Sequence, residues 1–108
     1  MIKILSAAQI KELDAHTIQH EPIASIDLME RACRAFTNWF VEHYDAIHRI
    51  GIICGTGNNG GDGLGIARML HEWNYPVKIW IVRGGVTETE DFQTNIQRIE
   101  NKIPFTEI

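Results

Sequence analysis

The sequence predicts an α/β fold: a mainly parallel sheet with helices on its faces. Three observations carry this. Ile50-Gly51-Ile52-Ile53-Cys54 and Val77-Lys78-Ile79-Trp80-Ile81-Val82 are short apolar runs of strand length, bordered by glycine or proline. Apolar residues before, between and after them recur at helical spacing, and strands alternating with helices form βαβ units. A glycine-rich stretch, Gly55–Gly63, joins the first strand to the following helix, at the sheet end where open α/β folds bind ligands.

Each element has its own warrant. Ser6-Ala7-Ala8-Gln9 is a capping box, and Ile10, Leu13, Thr17 and Ile18 follow on one face, which predicts a helix over about 7–19. Glu21–Ser25, with Pro22, is a turn. A longer helix over about 26–44 follows, with the stripe Leu28, Met29, Ala32, Ala35, Phe36, Trp39 and Phe40. After the first strand and the glycine stretch, Leu64, Ala67, Arg68, Leu70 and Trp73 open a helical period, with Asn74 as its C-cap ahead of Pro76. Arg83-Gly84-Gly85 turns the chain beyond the second strand. Thr87-Glu88-Thr89-Glu90 reads as a second capping box for a helix with the stripe Phe92, Ile96 and Ile99. Pro104–Ile108 opens a third strand. The sheet therefore reads as incomplete, preceded by two N-terminal helices. Residues 1–108 are expected to be the N-terminal portion of a single truncated domain.

Composition narrows the function. A chain of 108 residues is one domain at most and buries roughly 65% of its unfolded surface. Ten basic against 14 acidic residues give a net charge of −4, which argues against a nucleic-acid partner, since that wants a basic face. No apolar run approaches the ~20 residues of a membrane span, and charges come too early and too often at the N-terminus for a signal peptide. Cys33 and Cys54 form no C-x-x-C pair, and no N-x-[ST] acceptor occurs. The expectation is a reduced, cytoplasmic protein with two small buried thiols.

The chemistry lies in Gly55-Thr56-Gly57-Asn58-Asn59-Gly60-Gly61-Asp62-Gly63, nine turn-type residues of which five are glycine. Glycine admits positive φ and close approach of a ligand to the main chain. Free N–H groups at the start of the next helix favour an anion such as a phosphate. Asn58, Asn59 and Asp62 add amide and carboxylate oxygens, which can coordinate a hard cation or hold polar ligand groups. The plainer alternative is a tight βα turn in which Asn and Asp cap the helix, although nine residues exceed what such a turn needs. Residues 55–60 satisfy G-x-G-x-x-G, but the second strand ends Val82-Arg83, without the acidic residue that would hold a ribose. Arg83 could suit a 2′-phosphate. No Lys-Ser or Lys-Thr follows the glycines, which excludes a Walker A loop.

The string Gly57-Asn58-Asn59-Gly60-Gly61-Asp62-Gly63-Leu64 after the strand Ile50–Cys54 resembles the signature of the NAD(P)HX epimerase family, also called the YjeF N-terminal domain. Ile4-Leu5-Ser6-Ala7-Ala8-Gln9 and Glu12-Leu13-Asp14 resemble its opening helix, and Ile26–Ala35, with Leu28-Met29-Glu30, its second, so the resemblance runs over about residues 3–83. The family commonly reads E-N-A-G where this chain has Glu30-Arg31-Ala32-Cys33, and its domain is considerably longer.

This resemblance implies a Rossmann-like three-layer sandwich and an isomerase of nicotinamide cofactor repair. The family interconverts the R and S epimers of hydrated NADH and NADPH, damaged cofactors in which water has added to the nicotinamide ring. It implies substrate binding by Asn58, Asn59, Gly60, Gly61 and Asp62, and one K+ ion per subunit with Asn59 as a ligand. The remaining ion ligands are expected beyond Ile108, together with a second glycine loop, an aspartate and a serine. The chain offers no catalytic acid or base. A homo-oligomer and a fused C-terminal dehydratase are further expectations. The alternative is a non-catalytic nucleotide- or protein-binding module of the same fold. His16 and His20, at i and i+4, lack a third ligand and read as solvated helix residues.

Overall fold

The computed structural model describes residues 24–84 and 87–108. The predicted helix over 7–19, with His16 and His20, lies outside the described residues. In chain order the elements are helix α1 (Ser25–His43), strand β1 (Ile50–Cys54), helix α2 (Asn58–Glu72), strand β2 (Val77–Ile81), helix α3 (Glu90–Ile99) and strand β3 (Phe105–Glu107). The sheet is parallel, in the order β1-β2-β3, with Ile50 opposite Val77, Cys54 opposite Ile81, and Ile79 opposite Phe105. The α/β fold with a parallel sheet is as predicted.

Because strand order advances in one direction and βαβ crossovers share one hand, α2 and α3 fall on the same face of the sheet. Strand alternation shows it. Cys54, Ile79 and Ile81 are buried and meet Leu64 and Ala67 of α2, Phe92 and Ile99 of α3, and Ile103. On the opposite face Ile53 is 73% exposed, and Lys78 lies over the Trp80 ring. Helix α1 packs across α2 and touches α3.

Each helix end has a cause. The buried stripe of α1 is Leu28, Met29, Cys33, Thr37 and Phe40. Ala35, expected on this face, is exposed, because steps of three and four residues from Met29 lead through Cys33 and Thr37. Helix α2 ends in a Schellman motif: Asn74 adopts φ 67°, its amide donates to the His71 carbonyl, and the Tyr75 amide donates to Leu70. Asparagine tolerates this left-handed geometry and Pro76 bars continuation. Helix α3 is capped by Thr89, whose Oγ1 accepts from the Phe92 amide at 3.2 Å. The N-cap thus lies two residues beyond the expected Thr87, and the expected capping box does not form, because Phe92 occupies the position its acidic side chain would need.

The largest departure from the sequence reading is the glycine stretch. Instead of a nine-residue loop, only Gly55, Thr56 and Gly57 connect β1 to α2, and Asn58–Gly63 is the helix's opening. Glycine lowers helix propensity by roughly 1 kcal/mol per residue relative to alanine, which is why the segment reads as loop. Tertiary packing overrides that preference.

Candidate functional site

The site is built where β1 delivers the chain to α2. The Cys54 carbonyl accepts from the Val82 amide, and the carbonyl of buried Thr56 accepts from the Thr89 amide, so both neighbouring segments hold the connection. Gly57 is the N-cap, and the first helical bond runs from the Gly61 amide to its carbonyl at 3.0 Å. The amides of residues 57–60 therefore precede the intrahelical ladder and gather at the positive end of the helix dipole.

The glycines have two different duties, and positive φ is neither; no described glycine adopts it. A Cβ on Gly60 would overlap the Gly55 carbonyl oxygen. On Gly61 it would stand 3.1 Å from the Met29 sulfur, on Gly63 2.7 Å from Cys54 Sγ, and on Gly65 2.7 Å from Cys33 Sγ. These four let α2 seat against β1, α1 and α3. At Gly55 and Gly57 a Cβ would meet nothing within 4 Å, so here the bare backbone faces open space.

The sequence-predicted site residues divide accordingly. Asn58 and Asn59 are exposed at the helix start. Gly60 and Gly61 are buried against protein, and Asp62 is partly covered, with its carbonyl accepting from Cys33 Sγ at 3.3 Å. Cys33 and Cys54 are buried free thiols, and burial pushes the Cys54 thiol up to about 11. Among the described residues no cluster of three or more His, Cys, Asp or Glu side chains is placed to hold a metal. The side-chain oxygens at the helix start belong to Asn58, Asn59 and Asp62.

Arg83 is not the open phosphate partner that the sequence offered. Its Nε and Nη2 donate to Glu107 Oε1 at 3.1 and 2.8 Å, and its Nη1 pairs with Glu88. A guanidinium already paired with two carboxylates has little charge or donor capacity left for a further anion, which those carboxylates repel.

Sequence reasoning missed Asn95. Its side chain is buried in α3, and Nδ2 donates to the Gly61 carbonyl at 2.8 Å. The signal was available: Asn95 lies three residues after Phe92 and four before Ile99, a polar residue on the apolar face. It missed Glu30 as well, which pairs with Arg68 of α2 and Arg98 of α3 and so links three helices.

Residues 25–104 match the family model described as YjeF-related protein N-terminus. The chain belongs to that family. A relative in Limosilactobacillus fermentum, named NAD(P)H-hydrate epimerase, is 40% identical over 90 residues, covering 83% of this chain and 43% of its own. A protein of the same name in Oenococcus oeni is 33% identical over 103 residues, covering 94% of this chain and 49% of its own. The crystal structure of the yeast protein ynu0 superposes with a TM-score of 0.74 at 23% identity, over 98% of this chain and 47% of that one, so the two share a fold. The chain spans about half the length of the relatives it matches. No helix among the described residues is long and apolar enough to cross a membrane.

Proposed function

We propose that this protein interconverts the R and S epimers of hydrated NADH and NADPH. The observation that carries the reading is the Asn58-Asn59-Gly60-Gly61-Asp62-Gly63 string at the N-terminus of α2, in a family member 40% identical to a protein named for this activity.

In this reading the α2 N-terminus receives the dinucleotide's pyrophosphate, whose charge suits the amides of residues 57–60. Gly55 and Gly57 leave the backbone bare for close approach. Asn58 and Asn59 offer side-chain amides to the ligand's polar groups. The potassium ion implied by the resemblance fits one feature of the site: Asn59 is exposed and carries a neutral amide oxygen, a donor that a hard cation accepts. Bound there, the ion would offset phosphate charge. Asp62, partly covered one turn on, positions the ligand instead of transferring protons. The family resemblance extends the reading to a cytoplasmic homo-oligomer that feeds a dehydratase, fused or separate.

The test starts from one purified epimer of hydrated NADH, incubated with the protein and potassium and followed chromatographically. Appearance of the other epimer faster than without protein supports the reading, and an unchanged spontaneous rate ends it.

A further inference from the structure

We propose that Asn95 is a positioning residue: from α3 it holds the start of α2 in the geometry that presents the amides of residues 57–60. The functional meaning of this rests on the substrate-site reading above.

The start of α2 has few stabilisers of its own. Its N-cap is a glycine without a side-chain cap, its first turn has no acidic residue, and residues 60, 61, 63 and 65 are all glycine. What holds it comes from outside. Thr89 bonds the Thr56 carbonyl, Cys33 bonds the Asp62 carbonyl, and Asn95 bonds the Gly61 carbonyl. Of these, Asn95 is the buried side-chain amide, 3% exposed, with both ends engaged. Its Nδ2 lies 2.8 Å from the Gly61 oxygen and 3.2 Å from Met29 Sδ; its Oδ1 accepts from Arg98 Nη1 at 3.3 Å. Arg98 in turn reaches Glu30, which pairs with Arg68 on α2 itself. The amide is therefore oriented before any ligand arrives: Arg98 fixes the oxygen end, so the nitrogen end points at Gly61. A buried amide is costly unless bonded at both ends, and one that satisfies these partners specifies a single placement of α2.

Two substitutions separate the Gly61 contact from the Arg98 contact. Asn95→Asp keeps an oxygen for Arg98 and removes the donor to Gly61, whereas Asn95→Leu removes both. Ile99→Val, a cavity in the same helix away from the glycines, is the control for general loosening. Backbone amide exchange over residues 61–65, the first amides in the helical ladder, is measured on each protein without ligand. KM and kcat for epimerisation are then measured on the same preparations.

Both Asn95 variants should speed exchange in this segment about tenfold. KM should rise by less than exchange does, with kcat little changed, because binding follows the competent fraction of the segment, which falls far less than its opening constant rises. Ile99→Val should move neither. Wild-type exchange in Asn95→Asp would overturn the proposal, as would an equal effect from Ile99→Val. Absence of epimerisation by the unaltered protein would instead end the substrate-site reading, and the exchange measurement would still decide whether Asn95 holds the segment.

Discussion

Gly60 rests directly on the backbone of Gly55: a Cβ at position 60 would overlap the Gly55 carbonyl oxygen and stand 2.6 Å from the carbonyl carbon. The neighbour is main chain, held by its flanking bonds, and cannot rotate aside as a side chain would. Gly60→Ala should therefore destabilise the protein by about 3 kcal/mol, the upper end of overpacking costs. Gly57→Ala, which points into open space, should cost under about 1 kcal/mol. Urea denaturation of the two variants checks this, and equal midpoints would contradict the packing argument.

Asn59 is exposed at the helix start, so its side chain contributes little to folding. Asn59→Ala should leave stability within about 0.5 kcal/mol of the unaltered protein. In the proposed function it should raise the potassium concentration needed for half-maximal epimerisation by several-fold. A potassium titration of both proteins checks it, and an unchanged curve would remove Asn59 from the ion site.

Arg83 is occupied by Glu88 and Glu107. Arg83→Ala should thus leave the ratio of kcat/KM for hydrated NADPH over hydrated NADH within about twofold of its original value, since a group already paired offers little to a 2′-phosphate. Parallel assays with the two substrates check it. A selective loss on hydrated NADPH would show that Arg83 leaves its partners for the ligand.

Burial lifts the Cys54 thiol from 9.0 to about 11, and the sign of the stability effect follows. Between these values the unfolded chain releases the thiol proton and the folded chain keeps it. The stabilisation is complete below pH 9.0 and is lost as pH rises towards about 11. The loss should be on the order of 2 kcal/mol. Cys54→Ala should flatten this part of the stability-against-pH curve, measured by urea denaturation at pH 8 to 11. An unchanged slope would assign the alkaline loss to other groups.

The strands and helices of the described region were legible because period and length carry them: two apolar runs of strand length, and stripes at helical spacing. The turns around Asn74 and Pro76 were legible because residue chemistry restricts φ there. The glycine stretch was read as a loop because local propensity opposes a helix through Gly60, Gly61, Gly63 and Gly65. Its position after β1 was read correctly.

By itself, then, the sequence determined the βαβ order and the family to which the Asn58–Gly63 string belongs. These are local or periodic properties, complete within a few consecutive residues. Only the tertiary structure decided that this string is helical and that its glycines serve close packing against Gly55, Met29, Cys54 and Cys33. It alone paired Arg83 with Glu88 and Glu107, and Asn95 with Gly61. The physical reason is distance along the chain: Asn95 and Gly61 are 34 residues apart, and no local pattern encodes which carbonyl a buried amide will meet once three helices have packed around it.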